Sequence, residues 1–188
     1  MHGMRTGITG LTLLLSLTAC VSGGQAKTSA AMTDAPAPGD LNQSAGMLSL
    51  NPVPLYGMPE LSLGAEWQSG NDPLLQLCDL RKRQLDADKP LVLYLDGEHE
   101  ILTLQRSDAV VGASCGYFVT TPDQLDRIAS RQTVMLRVYF AGQTVEQRIS
   151  GTMSDYFSRP KMLGPQQRLK RFVDALQDLN LSSALVDG

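Results

Sequence analysis

The chain contains few of the side chains that most often catalyse reactions or bind metals. Its 188 residues include two histidines, three cysteines and one tryptophan, and aromatic residues make up only 5%. Few residues are therefore available to form a nucleophile–histidine–carboxylate arrangement or a zinc site. Basic residues do not exceed acidic ones, and the formal net charge of −3 argues against nucleic acid as the main partner.

Beyond the first twenty residues the only histidine is His99, which follows a glycine turn and lies between two glutamates. Adjacent strand residues point to opposite sides, so this acidic group is a poor cation site. No Gly-x-Ser-x-Gly turn and no phosphate-binding glycine loop accompany it. We therefore expect no catalytic residue, no metal and no cofactor. The sequence does not exclude a catalytic pair of carboxylates of the kind that cleaves sugars, because two acids that are distant in sequence can meet in space.

Long apolar runs are also scarce, and the informative one lies at the amino terminus. Gly7 to Leu17 follow the cationic Arg5 and are too few to span a bilayer stably. They end in Leu17-Thr18-Ala19-Cys20, which resembles the lipobox of bacterial lipoproteins. The resemblance covers the first twenty residues only. It implies cleavage after Ala19 and a diacylglycerol on Cys20.

That resemblance also implies a location. Two or three acyl chains anchor a protein stably, because each buried methylene contributes about 0.8 kcal/mol. Position 21 is valine rather than aspartate, which in this family implies release to the outer membrane, facing the periplasm. Two alternatives stay open: an ordinary secretory signal in which Cys20 is incidental, and a membrane-spanning anchor.

Composition divides the rest of the chain into two parts. After a signal peptide at residues 1–19, residues 20–48 are rich in Gly, Ala, Ser, Thr and Pro and predict a disordered tether. Residues 49–188 are long enough for a single domain. In this exported domain Cys78 and Cys115 most simply form one disulfide, with buried thiols or a redox pair as alternatives.

Periodicity predicts the elements of this domain. Asn71-Asp72-Pro73 reads as the start of a helix that runs to about Asp86 with Cys78 facing inward. The other predicted elements are a strand at 91–95 returning over 100–106, a short strand at 117–120, a helix capped by Thr121, a hairpin over 133–150 and a helix over 165–179. The fold class that we predict is α+β, with an antiparallel sheet of about five strands covered by about three helices and one disulfide.

Two surfaces are candidates for binding a partner. One is the polar face of the predicted hairpin, with Arg137, Tyr139, Glu146 and Arg148. The other is a basic segment that continues into the last helix, with Arg159, Lys161, Arg168, Lys170 and Arg171. The alternative for the basic segment is an ordinary solvated helix face.

These features predict an envelope lipoprotein that acts as a non-catalytic binding or scaffolding module. Its expected contacts are the membrane, through lipid on Cys20, and another envelope protein or a cell-wall component. One alternative is a ligand sensor or inhibitor with a pocket between the sheet and the helices. Another is a cell-wall or glycan hydrolase that uses two carboxylates.

Lipid attachment at Cys20 is directly testable. Cells that express the protein are grown with labelled palmitate, and we expect label in the processed wild-type product and none in the Cys20→Ser variant, because only the thiol forms the thioether. The variant should also leave the membrane fraction. Unlabelled wild-type protein, or unchanged fractionation of the variant, would contradict the lipobox interpretation.

Overall fold

Most of the structure is β-sheet. The computed structural model describes residues 39–110, 112–150 and 163–186, with side chains to residue 180. These residues form ten strands in two antiparallel sheets, together with two helices. The predicted α+β class, with one sheet of about five strands and about three helices, is therefore wrong.

The elements follow in chain order: β1 Leu41–Ser44, β2 Met47–Leu55, β3 Met58–Gln68, β4 Leu74–Asp79, β5 Leu91–Leu95, β6 Glu98–Leu102, β7 Leu104–Val110, β8 Ala113–Val119, α1 Pro122–Ser130, β9 Val134–Phe140, β10 Gln143–Arg148 and α2 Pro165–Val186. The six-stranded sheet has the order β1-β2-β3-β4-β8-β7, and the four-stranded sheet has the order β10-β9-β5-β6. Thr103 alone separates β6 from β7, so the chain changes sheets there within one residue.

The predicted helix over 71–86 is the main error. Residues 74–79 form β4, which pairs with β3 on one side and β8 on the other. Leu75 and Leu77 enter the main core, whereas Leu74 and Cys78 enter a smaller cluster on the opposite face. A strand that is buried on both faces is mostly apolar, and such a short run also matches helical spacing.

Strands also begin earlier than the sequence indicated. β1 and the start of β2 lie in residues 39–48, which we had assigned to the end of the tether. Pro52 and Pro54 lie within β2, next to irregularities in its pairing with β3. A bulge lets a strand accept a proline that cannot donate a ladder hydrogen bond.

The elements with strong local signals were predicted correctly. The hairpin of β9 and β10 turns at Ala141 and Gly142, and Val138 pairs with Val145 as expected. Gly142 has a φ of +76°, which glycine adopts without strain. Thr121 caps α1 through a complete capping box with Gln124.

Both sheets and both helices contribute to one apolar core. Alternate residues of β5 and β9, such as Leu93 and Leu136, point into it and are fully buried. The stripe of α2 that the sequence predicted also lies there, with Phe172 and Leu176 among its buried members. The outward residues of each sheet therefore face away from this common core.

The disulfide between Cys78 and Cys115 is present, as predicted. The two cysteines are direct partners on β4 and β8, and their Cα atoms are 4.0 Å apart. The bond closes a sequence separation of 37 residues. Its sulfur atoms lie in the smaller cluster, on the outward face of the six-stranded sheet.

An ion pair between the buried Asp79 and the half-buried Arg83 holds the segment that leads from β4 to β5. Asp79 is 2% exposed, and its two carboxylate oxygens each accept a 2.9 Å hydrogen bond from the Arg83 guanidinium. The Arg83 guanidinium also lies 4.3 Å from the centre of the Phe140 ring in β9. Burial alone would raise the pKa of Asp79, but the hydrogen bonds and charge of Arg83 lower it below its usual value.

We expect Asp79→Asn to lower the free energy of unfolding by about 2 kcal/mol at neutral pH, because it leaves the half-buried Arg83 guanidinium without its counter-charge. The native pKa is depressed, so the carboxylate stabilises the fold fully above about pH 4 and loses this effect as the pH falls through the native pKa. Urea unfolding of the wild type and the variant measures the loss of stability at pH 7. The difference between the two proteins should become smaller at pH 3. Asp174→Asn, which breaks an exposed pair with Lys170, serves as the control and should cost less than about 1 kcal/mol. Equal losses in the two variants would contradict the assignment.

Candidate functional site

A groove of about 570 Å³ crosses the outward face of the six-stranded sheet. Its floor contains Leu74 and Val119, which are direct partners on β4 and β8. The same cross-strand row continues through Glu66 on β3 to Ser49 on β2. The complete lining is Met47, Ser49, Glu66, Trp67, Gln68, Asn71, Asp72, Leu74, Gln105, Arg106 and Val119. Strands that are distant in sequence therefore build one surface.

A bulge in β7 brings two successive residues to the groove. Leu104 pairs with Phe118 and Arg106 pairs with Tyr117, so that Gln105 is an extra residue between them. Successive residues of a regular strand face opposite sides, whereas a bulge redirects one of them. Gln105 and Arg106 both line the groove as a result.

Arg106 is held in place from three directions. Its guanidinium lies 3.8 Å from the centre of the Tyr117 ring, its Nη2 donates to Glu66 at 2.5 Å, and its Nε donates to Asp108 at 3.1 Å. Gln76 in turn donates to the Tyr117 hydroxyl at 2.9 Å. Burial alone would lower the pKa of Arg106, but its hydrogen bonds to the two carboxylates raise it. Burial, and then the charge of Glu66, raises the pKa of Tyr117.

Both members of the ion pair also line the groove. In the part of the chain that the structure describes, Arg106 uses Nε and Nη2, and Glu66 uses Oε1. The pair thus brings a cationic donor and an anionic acceptor to the groove. Trp67, the only tryptophan of the chain, also lines the groove while it packs partly against the main core.

The four-stranded sheet has an outward face of a different kind, which we call the open face. It consists of the outward residues of β6, β5, β9 and β10 in two cross-strand rows. One row is Ile101, Val92, Arg137 and Glu146, and the other is His99, Tyr94, Met135 and Arg148. Ile101 is 57% exposed. The buried sides of both helices belong to the core behind this sheet.

The predicted hairpin residues lie on or beside the open face. Arg137 forms an ion pair with Glu146, its cross-strand partner, and its guanidinium is 5.1 Å from the Tyr94 ring. Hydrogen bonds to Glu146 and to Tyr139 raise the pKa of Arg137. Tyr139 continues the same side of β9 and lies 5.2 Å from the Lys89 ammonium. The structure therefore brings all four predicted hairpin residues to one side of the sheet.

The predicted basic segment is only partly described, because Arg159 and Lys161 lie outside the described residues. Arg168 donates to the Gly39 carbonyl at 2.9 Å and so helps hold α2 against the chain before β1. Lys170 pairs with Asp126 at 3.3 Å and Asp174 at 2.8 Å, contacts that raise its pKa. Arg171 is exposed. The helical members thus do not form one cationic patch.

The described ranges show no group of three or more His, Cys, Asp or Glu side chains that could hold a metal. No helix among those ranges is long and apolar enough to span a bilayer. Cys20 lies outside the described residues, so its predicted lipid stays a prediction.

No groove residue was among the predicted site residues, and Asn71 and Asp72 were predicted only as the start of a helix. The lining of the groove depends on strand register and on the β7 bulge, neither of which leaves a motif. The lone tryptophan beside polar residues was the only available signal, and it is a weak one.

Comparison of the chain with protein-family models found no match. Comparisons with curated proteins and with solved structures likewise found none.

Proposed function

We propose that this protein is a lipid-anchored module of the cell envelope that binds or scaffolds another component without catalysing a reaction. The observation that carries the proposal is the open face of the four-stranded sheet. It places Tyr94, Met135 and Arg137 side by side with the exposed Ile101. Aromatic residues, methionine and arginine are the types that protein interfaces favour.

The internal contacts of the open face suit it to docking. Arg137 lies near the Tyr94 ring and pairs with Glu146, so these side chains are already ordered before a partner arrives. Ordered side chains lose less conformational entropy on binding. A protein surface that offers an apolar centre and a few charged groups at its rim fits this arrangement.

The resemblance to a lipobox supports the proposed location at a membrane. Lipid on Cys20 would hold the module at a membrane, which we propose to be the outer membrane on its periplasmic side. The partner is then another envelope protein or a cell-wall component within reach of that membrane. Scaffolding of this kind needs two attachment points, the acyl chains and the open face.

The two alternative functions have less support in the geometry. The hydrolase alternative needs two carboxylates that act on a substrate, and the groove does contain Glu66 and Asp72. An ion pair with Arg106 engages Glu66, however. The sensor alternative was expected to use a pocket between sheet and helices, whereas strands and the β3–β4 connection line the groove.

Site-specific cross-linking tests the open face. A photo-reactive amino acid replaces Ile101 in the full-length, membrane-anchored protein, and the matched control replaces Leu80, which is 56% exposed but follows β4 in the other sheet. We expect one discrete adduct from position 101 that is weak or missing at position 80, with the partner identified by mass spectrometry. Adding Arg137→Glu should reduce its yield about tenfold, because a charge reversal opposes complementary contacts.

Identical adduct patterns at both positions, or no adduct at position 101 in anchored protein, would contradict docking through the open face. An adduct whose yield is insensitive to Arg137→Glu would also argue against it. Fractionation of each variant confirms that the protein remains at the membrane.

A further inference from the structure

We propose that the groove on the six-stranded sheet binds a short, neutral oligosaccharide. This site is separate from the open face, because it lies on the other sheet and shares no residue with it. Its volume of about 570 Å³ is within the usual range for small-ligand sites. The inference therefore adds a ligand to the proposed binding module and does not depend on the partner protein.

The floor of the groove suits one face of a sugar ring. Leu74 and Val119 lie side by side on neighbouring strands, and Met47, which is 52% exposed, lies at one end. A pyranose presents C–H groups on its faces and hydroxyls at its edge. Contact of such a face with the apolar floor removes apolar surface from water.

The rest of the lining suits the hydroxyls. Three side-chain amides, Gln68, Asn71 and Gln105, surround the floor, and each amide both donates and accepts hydrogen bonds. Hydroxyls do the same, so these amides can pair with sugar hydroxyls in either direction. A purely apolar ligand of this size would leave these polar groups without partners, which is costly.

The Glu66–Arg106 pair adds a fixed donor beside a fixed acceptor. Tyr117, Glu66 and Asp108 already hold Arg106, and both Glu66 and Arg106 line the groove. Two neighbouring hydroxyls of a sugar can accept from the guanidinium and donate to the carboxylate. Because the pair is ordered beforehand, little entropy is lost on binding.

Charge favours a neutral ligand. Glu66 and Asp72 outnumber Arg106 in the lining, which leaves the groove formally negative. A phosphate or other anion would meet this excess of like charge, and the acidic chain as a whole adds to the repulsion. A polyhydroxylated neutral molecule satisfies the polar groups without introducing a charge.

The single tryptophan allows a direct test. Full-length protein, in a detergent without a sugar headgroup, is titrated with tetra-N-acetylchitotetraose and with maltotetraose while the fluorescence of Trp67 is recorded. We expect a saturable change with at least one of them, and the preferred sugar shows whether acetamido groups contribute. Arg106→Met should weaken binding about tenfold through loss of charged hydrogen bonds. Arg137→Met, on the open face, should leave binding unchanged.

Gln105→Ala tests the same site without disturbing the ion pair and should weaken binding about threefold. If Arg106→Met does not fold, binding by Gln105→Ala still tests whether the sugar occupies the groove. Absence of saturable binding with both sugars, confirmed by calorimetry, would overturn the proposal, as would equal binding by wild type and Gln105→Ala. Tetralysine serves as a comparison, and preferential binding of tetralysine would assign the groove to a cationic peptide instead. None of these outcomes affects the cross-linking test of the open face.

Discussion

The ion pair between the buried Asp79 and the half-buried Arg83 holds the chain where it leaves the six-stranded sheet for the four-stranded one. Asp79 ends β4, and Arg83 reaches both its carboxylate and the Phe140 ring of β9. The connecting segment then lies along the end of β9, where the Asp86 amide donates to the Tyr139 carbonyl at 3.0 Å. The buried Asp79 carboxylate would be costly without its partner, so the pair helps hold the connection between the two sheets in place.

The local part of the fold was predictable because its signals lie within a few residues. The capping box of Thr121 and Gln124 and the turn at Gly142 each select one conformation from their immediate surroundings. The error at 74–79 has a different origin. Leu74 and Cys78 are buried on one face of β4, while Leu75 and Leu77 are buried on the other. The smaller cluster that contains Leu74 and Cys78 forms only when β8 packs beside β4. No periodicity within six residues could show that.

The two candidate surfaces also differed in how far the sequence could predict them. Alternation along one hairpin was enough to place Arg137 and Glu146 on a common polar side. The groove depends on the register of several strands and on one bulge. This arrangement brings Glu66 and Arg106 to 2.5 Å from each other although 40 residues separate them in sequence. The basic segment shows a further limit of sequence reasoning, since a run of cations does not reveal its counter-ions. Lys170 meets Asp126 from α1, an acid 44 residues away.

The disulfide gives the groove a property that the open face lacks. Cys78 and Cys115 join β4 and β8, the two strands whose Leu74 and Val119 form the floor, and both pairs lie on the same face of the sheet. The covalent link keeps these strands in register, so a ligand meets a surface that is already formed. The open face relies instead on packing between adjacent strands and on ion pairs at its surface, which solvent screens. The apolar core lies between the two surfaces and they share no residue, so the two proposed ligands do not compete for the same side chains.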